Sequence, residues 1–359
     1  MNYKISHPTK IVECEIDLPA SKSISNRLLI IQALSKEKFK IENLSDSDDT
    51  KSLKKALNSK ENKIDIGHAG TSFRFLTSYL SIQNRKGVIL TGSDRIKERP
   101  MKELVTSLWK MGAKIEYLEN EGFPPLTISG IRLEGGEVEI DGDVSSQFIT
   151  SILLIAPTLK NGIELKIKGK LVSKPYVTMT LKLMNEFGIE SSWENNIITI
   201  QAQDYISKNY KVEADWSAAS FWFEIAALSK SCNIKLNGLQ QDSIQGDKRS
   251  IEIFNDFKVD SKFENGKLIL TKNQTISTCT TYNLIETPDL YQPLRCTLFS
   301  RNIAANFSGL QTLKNKETDR VLSVETELKK LNSTRIISTY KDHRMAMSFA
   351  PLSLKFGEL

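Results

Sequence analysis

Cysteine and histidine are scarce in this sequence, and their spacing argues against several classes of site. Among the 359 residues the cysteines are Cys14, Cys232, Cys279 and Cys296, and the histidines are His7, His68 and His343. The cysteines are widely separated, and no two of them form a CxxC pair. This spacing argues against a zinc site and against a disulfide framework. We therefore expect no bound metal.

Long apolar runs, low-complexity tracts and a basic tail are also lacking. The first 21 residues alternate polar and apolar side chains and contain no signal-peptide core, and no window reaches membrane-spanning length. The 49 basic residues exceed the 43 acidic ones only slightly, and they are spread along the chain. We expect a cytoplasmic protein with neither a membrane nor a nucleic-acid partner.

The composition that remains is that of a folded protein with more than one core. Hydrophobic residues make up 40% and charged residues 26% of the chain. The length favours two domains. The same order of predicted segments recurs about every 70 to 75 residues. A β-rich segment, a small-residue turn and an amphipathic helix lead into another β-rich segment. The predicted helices end near residues 112, 188, 257 and 332, before AKIEYLE, IESSW, KVDSKFE and STRIIS. This repetition predicts an α/β fold of stacked units rather than a Rossmann order.

Small or hydroxylated residues precede each predicted helix. The starts are residues 20–23, 69–72, 143–146, 215–218 and 342–344. Ordinary N-capping explains each start taken alone. Several converging helix N-termini would instead bind an anion, because their free N–H groups and dipoles favour negative charge.

Cations next to these starts favour the anion-binding interpretation. Lys22 and Arg27 lie beside three serines, Ser21, Ser23 and Ser25, and this combination suits a carboxylate or a phosphate. Arg95, Lys97 and Arg99 alternate along residues 95–99, so on an extended strand they would point to one side. A solvated loop is the alternative for this segment.

Neutral hydrogen-bond donors and acid–base candidates complete the set of candidate site residues. The hydroxyl and amide donors, suited to sugar-like hydroxyls and a phosphate, are Ser145, Ser146, Gln147, Ser173 and Tyr176. The charged candidates near the C-terminus are Asp289, Lys316, Glu317, Arg320, Asp342, His343 and Arg344. Residues 316, 317 and 320 would share one face at a helix start, where a structural salt-bridge cluster is the alternative.

Taken in order, SKSISNR, AGTSFRF, DRIKERP, SSQF, SKPY, PD, KETDR and DHRMAM resemble the motif series of the EPSP synthase family. The resemblance covers residues 20 to 350. It implies two domains, each of threefold-repeated βαβαββ units in an inside-out α/β barrel, with the active site in the interdomain cleft. The N-terminal domain would be residues 20–215, and the C-terminal domain residues 1–19 plus 216–359. The family transfers the enolpyruvyl group of phosphoenolpyruvate to shikimate 3-phosphate and needs no cofactor. A monomer is expected.

The resemblance also implies a role for each matching residue. The shikimate 3-phosphate ligands would be Lys22, Ser23, Arg27, Ser145, Ser146, Ser173, Tyr176, Asp289 and Lys316. The phosphoenolpyruvate ligands would be Lys22, Gly70, Arg99, Gln147, Arg320 and Arg344. The reaction adds a hydroxyl to C2 and then eliminates phosphate, so it needs positioned acid–base groups. Asp289 near the acceptor hydroxyl and Glu317 near the methylene carbon are the candidates, and Lys22 would offset charge on the departing phosphate.

Some positions depart from the family pattern. His68 stands in place of asparagine, Phe75 in place of proline, and Thr312 in place of a polar amide. The family also continues past DHRMAM to a further active-site lysine, so the last repeat looks incomplete. Gly70 implies sensitivity to glyphosate.

Three other functions remain open from the sequence. The sister transferase acting on UDP-N-acetylglucosamine typically carries a cysteine in the loop matching residues 92–100, which here has none. An RNA terminal-phosphate cyclase would need ATP and a nucleophilic histidine. A protein that binds the anions without turnover is the third alternative.

Overall fold

The computed structural model describes residues 3–272 and 280–359, so Cys279 lies outside the described residues. The chain forms two compact units. The central unit is Ala20–Val212, and the split unit combines Met1–Pro19 with Glu213–Leu359. The central unit is thus an insertion in the sequence of the split unit. The domain boundary that the sequence places after residue 215 stays a prediction. None of the helices in the described part of the chain is long and apolar enough to cross a membrane.

The chain begins with β1 of the split unit (Ile11–Asp17) and then enters the central unit. The central strands are β2 (Ile41–Glu42), β3 (Lys63–Asp65), β4 (Val88–Thr91), β5 (Lys114–Tyr117), β6 (Leu126–Ser129), β7 (Gly136–Asp141), β8 (Ile163–Lys168), β9 (Ser192–Glu194), β10 (Ile197–Ile200) and β11 (Tyr210–Lys211). The central helices are α1 (Lys22–Leu34), α2 (Asp48–Asn58), α3 (Gly70–Ser81), α4 (Asp94–Lys97), α5 (Lys102–Lys110), α6 (Ser146–Ile155) and α7 (Lys174–Glu186). A 3-10 turn, Ala156–Thr158, follows α6.

The split unit resumes after Val212. Its further strands are β12 (Ser231–Asn237), β13 (Val259–Glu264), β14 (Lys267–Lys272), β15 (Thr281–Asn283) and β16 (Asn306–Ser308). Its helices are α8 (Trp216–Leu228), α9 (Ser250–Asn255), α10 (Tyr291–Ser300), α11 (Arg320–Lys330), α12 (His343–Phe349) and α13 (Ser353–Phe356). The 3-10 turns are Gly246–Arg249, Pro288–Leu290, Gln311–Asn315 and Ala350–Leu352.

Three four-stranded sheets share one topology. In the sheet ordered β3-β4-β6-β5, the first pair is parallel and the other two pairs are antiparallel. The sheets β7-β8-β10-β9 and β1-β12-β14-β13 repeat this pattern. A crossover that includes a helix joins the two parallel strands of each sheet, and between β1 and β12 this crossover also contains the whole central unit. The predicted α/β class is therefore confirmed, with three complete βαβαββ units. Closure of the units into barrels stays a prediction.

The remaining strands form two short parallel pairs, β2 with β11 and β15 with β16. The predicted strand STRIIS after α11 is wrong. Residues 333–342 form turns and irregular backbone, and Ile336 is 80% exposed. The N–H of Ser338 bonds to Oε2 of Glu327 at 3.0 Å. The N–H and C=O groups of a strand form hydrogen bonds with a neighbouring strand. Here the N–H of Ser338 bonds instead to the side chain of Glu327 in α11.

Apolar helices fill the centre of each unit. Nine of the ten residues of α6 are buried, and α6 packs against α3 and α7. A helix that is apolar on all sides is stable only when other elements surround it. In the split unit, α8 packs against α10 and the sheet containing β12 and β14. The predicted site residues Ser145, Ser146 and Gln147 lie at the N-terminal end of α6.

Candidate active site

The start of α1 places Lys22 beside a carboxylate that the sequence reasoning missed. Ser21 caps the helix by accepting from the N–H of Ile24 at 3.4 Å. The Nζ of Lys22 lies 3.7 Å from Oδ2 of Asp49. The other oxygen of Asp49 accepts from Oγ of Ser72 at 2.6 Å. Asp49 therefore links the start of α1 to the first turn of α3. Its signal in the sequence was the acidic run SDSDD, which resembles an ordinary helix cap.

Arg27 lies in the core of the central unit. Its Nε donates to Oγ1 of Thr180 at 2.8 Å, and its Nη1 donates to the carbonyl of Ser23 at 2.8 Å. Its Nη2 donates to the carbonyl of Tyr176 at 3.2 Å. The guanidinium also lies 5.7 Å from the ring centroid of Phe75. Burial lowers the pKa of Arg27 to about 10, so it stays charged at neutral pH. Arg27 ties α1 to α7, and its role as a substrate ligand stays a prediction.

Gly70 begins α3 and is enclosed by two guanidinium groups. A Cβ atom at this position would lie 2.0 Å from Nη1 of Arg99 and 3.1 Å from Nη1 of Arg74. Arg74 also donates to the carbonyl of Gly70 at 2.7 Å. Both arginines are buried. The structure therefore brings Gly70 and Arg99 together and adds Arg74 to them.

The extended-strand interpretation of residues 95–99, in which the three cations would share one side, is wrong. Arg95 lies in the single helical turn α4 and donates to Oε2 of Glu98 at 2.8 Å. Lys97 pairs with Oε1 of Glu119 at 2.7 Å. Only Arg99 of the three is buried. A helical turn rotates successive residues by about 100°, so alternate positions no longer face the same way.

Gln147 connects the start of α6 to the start of α3. Its Nε2 donates to Oγ1 of Thr71 at 3.2 Å, next to Gly70. Ser145 caps α6 by accepting from the N–H of Gln147 at 3.3 Å. Ser146, the first residue of α6, is buried. These positions agree with a cluster of donors around two neighbouring helix starts.

The start of α7 is strained. Ser173 has φ 55° and ψ 39°, in the left-handed region. A side chain in this region costs ~1–3 kcal/mol and such strain tends to occur at functional sites. Lys174 follows it, with its ammonium 4.9 Å from the ring centroid of Trp193. Because Pro175 is the next helical residue, the turn has little freedom to relax.

In the split unit, Arg320 is shared by three carboxylates. Its Nε donates to Oδ2 of Asp342 at 2.8 Å, its Nη1 to Oδ1 of Asp289 at 2.9 Å, and its Nη2 to Oε2 of Glu317 at 2.7 Å. Burial opposes the charge of Arg320, but the three carboxylates outweigh it and raise the pKa. The side chain of Glu317 is 28% exposed, against 11% for Asp289 and 0% for Asp342. Glu317 is therefore the member most accessible to a substrate.

Asp289 is also the acceptor of two further cations. Lys316 Nζ lies 3.7 Å from its Oδ1, and Arg344 Nη2 lies 3.4 Å from its Oδ2. The structure thus brings together six of the seven charged candidates predicted in this unit, namely Asp289, Lys316, Glu317, Arg320, Asp342 and Arg344. Their contacts differ in length, since those of Arg320 are 2.7–2.9 Å and those of Lys316 and Arg344 are longer.

Asp247 is a buried carboxylate of this region that the sequence reasoning missed. It lies in the 3-10 turn Gly246–Arg249 and accepts a hydrogen bond from Oγ of Ser217, near the start of α8. Burial and the charge of Asp289 raise the pKa of Asp247 to about 7, while Ser217 and Arg344 oppose the shift. The motif QGD did not indicate a site residue, because Ser217, which contacts Asp247 in the fold, lies 30 residues away in the sequence.

The departures from the family pattern have local contacts. His68 Nδ1 lies 2.8 Å from Oγ of Ser93, and Phe75 packs over Arg27. Oγ1 of Thr312 is buried without a hydrogen-bond partner among the described atoms. Within residues 3–272 and 280–359, no group of three or more His, Cys, Asp or Glu side chains is arranged to hold a metal.

The repeated βαβαββ units define an α/β protein, and its helix starts flanked by cations are of the kind that suits small anions. The family profile for EPSP synthase (3-phosphoshikimate 1-carboxyvinyltransferase) matches residues 6–59 and 52–358. The chain belongs to this family.

Sequence relatives support the same family, and a solved structure has the same fold. The chain is 44% identical to 3-phosphoshikimate 1-carboxyvinyltransferase of Bacteroides fragilis (strain YCH46), covering 99% of this chain and 92% of the relative. It is 35% identical to the protein of that name from Haemophilus influenzae, covering 97% and 91%. The structure of EPSP synthase from Acinetobacter baumannii superposes with a TM-score of 0.74 at 21% identity, covering 98% of this chain and 91% of that one. The structural likeness supports the fold, and the sequence likeness supports the family.

Proposed function

We propose that this chain transfers the enolpyruvyl group of phosphoenolpyruvate to the 5-hydroxyl of shikimate 3-phosphate and releases phosphate. This is the reaction for which its family is named. The observation that carries the chemistry is the sharing of buried Arg320 among Asp289, Glu317 and Asp342. Such a cluster holds acid–base groups beside fixed positive charge.

The proton transfers follow from the chemistry of the two substrates. Asp289 accepts the proton of the 5-hydroxyl as that oxygen bonds to C2 of phosphoenolpyruvate. Glu317 gives a proton to C3 in the addition step. In the elimination step C3 returns a proton to Glu317 while the bond from C2 to the phosphate oxygen breaks, and Asp289 gives the proton of the former 5-hydroxyl to the departing phosphate. The exposure of Glu317 supports this role, because its carboxyl must reach the reacting carbon.

Anion binding is the role that we propose for the central unit. Phosphoenolpyruvate carries a carboxylate and a phosphate, which suit the guanidinium groups near Gly70 together with Gln147. Lys22, Ser23, Arg27, Ser145, Ser146, Ser173 and Tyr176 are proposed as ligands of shikimate 3-phosphate. We propose that these groups and the Arg320 cluster act on the same substrate pair.

We also propose that the chain works as a monomer in the cytoplasm, where both phosphorylated substrates are produced and retained by their charge. The addition and elimination are proton transfers at oxygen and carbon. No organic cofactor takes part in the proposed steps.

Phosphate release tests the proposal. Purified protein is mixed with phosphoenolpyruvate and shikimate 3-phosphate, and phosphate is measured together with the loss of phosphoenolpyruvate. We expect one phosphate for each phosphoenolpyruvate consumed, and none when the acceptor is left out. Release with UDP-N-acetylglucosamine but not with shikimate 3-phosphate would overturn the proposal in favour of the sister activity.

A further inference from the structure

A tight turn with unusual backbone angles lies immediately before the helix that carries Arg344. The N–H of Asp342 donates to the carbonyl of Thr339 at 2.8 Å and closes this turn. Its two central residues, Tyr340 and Lys341, have φ 52° and 57°. Positive φ at both central positions is the pattern of a type I′ turn, in which glycine, asparagine and aspartate predominate. A tyrosine and a lysine are strained there, and such strain persists only where the surrounding structure fixes it.

Glu327 of α11 is the side chain that fixes this turn. It has no exposed surface. Its Oε1 accepts from the hydroxyl of Tyr340 at 2.5 Å, and its Oε2 accepts from the N–H of Ser338 at 3.0 Å. Burial opposes the charge of this carboxyl, but the hydrogen bonds from Lys330, Tyr340 and Ser338 outweigh burial and lower its pKa. The acceptor is therefore a charged carboxylate, which makes the hydrogen bonds that hold the turn strong ones.

The residues that follow the turn belong to the Arg320 cluster. Oδ2 of Asp342 accepts from Nε of Arg320 at 2.8 Å, and Oδ1 accepts from the N–H of Arg344 at 2.9 Å. Nη2 of Arg344 lies 3.4 Å from Oδ2 of Asp289. Because the turn leads directly into Asp342, a change in its backbone angles would displace Asp342 and Arg344 together.

We propose that Glu327 is a positioning residue for phosphoenolpyruvate, which fixes the turn at Tyr340 and Lys341 and thereby sets the places of Asp342 and Arg344. The inference rests on the proposed function, in which Arg344 is a ligand of that substrate. Glu327 acts only through the turn and does not touch the reacting atoms.

A purely structural role for α11 makes a different prediction. Glu325 lies on the same helix, where its Oε1 accepts from the hydroxyl of Tyr291 at 3.0 Å, and its two oxygens pair with Arg295 of α10 at 2.7 and 2.9 Å. If the carboxylates of α11 only stabilise the packing of this helix, loss of either tyrosine hydroxyl should have the same effect on substrate binding. If Glu327 sets the turn, only loss of the hydroxyl of Tyr340 should weaken binding of phosphoenolpyruvate.

The test compares Tyr340→Phe with Tyr291→Phe in the intact chain. Each substitution keeps the aromatic ring and removes one hydroxyl from a glutamate of α11. For Tyr340→Phe we expect the KM for phosphoenolpyruvate to rise about fivefold, while kcat changes by less than about twofold, since a displaced Arg344 loses binding rather than chemistry. The KM for shikimate 3-phosphate should stay within about twofold of wild type. Tyr291→Phe should match wild type in all three constants.

A second variant removes the carboxylate itself. Glu327→Ala takes the acceptor from both Tyr340 and Ser338, so the KM for phosphoenolpyruvate should rise further, by at least about 10-fold. Thermal melting identifies a variant that does not fold, and in that case Tyr340→Phe, whose side chain is 38% exposed in wild type, decides alone.

Two results would overturn the inference. One is an unchanged KM for phosphoenolpyruvate in folded Tyr340→Phe, and the other is an equal rise for Tyr340→Phe and Tyr291→Phe. A wild-type chain that releases no phosphate would overturn the proposed function itself, and this inference with it.

Discussion

At Gly70, an added methyl group would meet Nη1 of Arg99 at 2.0 Å, so the guanidinium has to move. We expect Gly70→Ala to raise the KM for phosphoenolpyruvate about 10-fold and to weaken inhibition by glyphosate. The KM for shikimate 3-phosphate should change little. Steady-state kinetics with each substrate varied in turn measures both constants.

A matched control for this substitution is Gly87→Asn. Gly87 is exposed, has no heavy atom within 4 Å of an added Cβ, and has φ +63°, which asparagine tolerates. Its kinetic constants should equal those of wild type. An unchanged KM for phosphoenolpyruvate in Gly70→Ala would show that Arg99 moves without consequence, contrary to our assignment.

Replacing Glu317 with Gln tests the proton transfer at C3. Glutamine keeps the size of the side chain but cannot exchange the proton, so we expect kcat to fall at least about 100-fold. The KM for phosphoenolpyruvate should change much less, since Glu317 is not assigned to binding. Single-turnover and steady-state measurements of phosphate release provide both values. Turnover within a few-fold of wild type would remove Glu317 from the acid–base assignment.

The titration of Asp247 predicts a pH dependence of stability. Its pKa is raised from 3.8 to about 7 by burial and by Asp289, while Ser217 and Arg344 oppose the shift and Asp215 adds to it. The folded state therefore binds a proton more tightly than the unfolded state. Its contribution is present below pH ~4 and is lost as pH rises through ~7, by up to about 4 kcal/mol.

Urea unfolding of wild type and Asp247→Asn measures this effect. Asparagine does not titrate, so the variant should gain stability relative to wild type as pH rises from ~4 to ~7. The gap between the two free energies of unfolding should then stay constant above pH ~8. A gap that does not depend on pH would contradict the raised pKa.

At the scale of the helices, the caps were the most predictable feature. Asp215, Asp342 and two serines cap helices at four of the five predicted starts, because a cap needs only neighbouring residues. The fifth start, before Gly70, has no side-chain cap bond from Ala69. Here the small residue leaves room for guanidinium groups.

The wrong predictions and the missed carboxylates have a different cause. The segment STRIIS lacks a strand partner. Arg95 and Lys97 lie in the helical turn Asp94–Lys97, where each pairs with a glutamate. Asp49 and Asp247 were missed because Ser72 and Ser217, their partners, lie more than 20 residues away in sequence. Local patterns thus predict the helix starts, and only the folded chain shows which carboxylates meet which cations.

The cap of α11 gives a prediction for one element. Asp319 accepts from the N–H of Leu322 at 3.1 Å and orients the helix that begins with Arg320. We expect Asp319→Ala to reduce the free energy of unfolding by about 1 kcal/mol. Asp319→Asn should cost only a few tenths of a kcal/mol, because asparagine caps equally well. Denaturant titration compares the two, and equal losses would show that charge rather than capping matters.

At the scale of the whole molecule, the central unit has the features of an independent domain. It contains two complete βαβαββ units and an apolar core around α6. The chain leaves and re-enters the split unit at one point, where the N–H of Asp215 donates to the carbonyl of Pro19 at 2.9 Å. Residues 20–212 should therefore fold alone.

This separated unit also tests the division of labour between the two units. All the proposed phosphate-binding serines lie in residues 20–212, whereas Asp289 and Glu317 do not. We expect the fragment to bind shikimate 3-phosphate in calorimetry, more weakly than the intact chain, and to release no phosphate from phosphoenolpyruvate. Cooperative unfolding without any binding would show that residues of the split unit are needed for the first substrate.

The insertion of the central unit also affects how the nascent chain folds. Strand β1 pairs with β12, about 220 residues later in the sequence. At the usual 5–20 residues per second, β1 leaves the ribosome roughly 10–40 s before its partner. During this time its backbone groups are unpaired, and an unpaired strand is a site for aggregation. The exposed face of β1 carries Glu13, Glu15 and Asp17. These charges disfavour pairing between nascent chains until β12 has been synthesised.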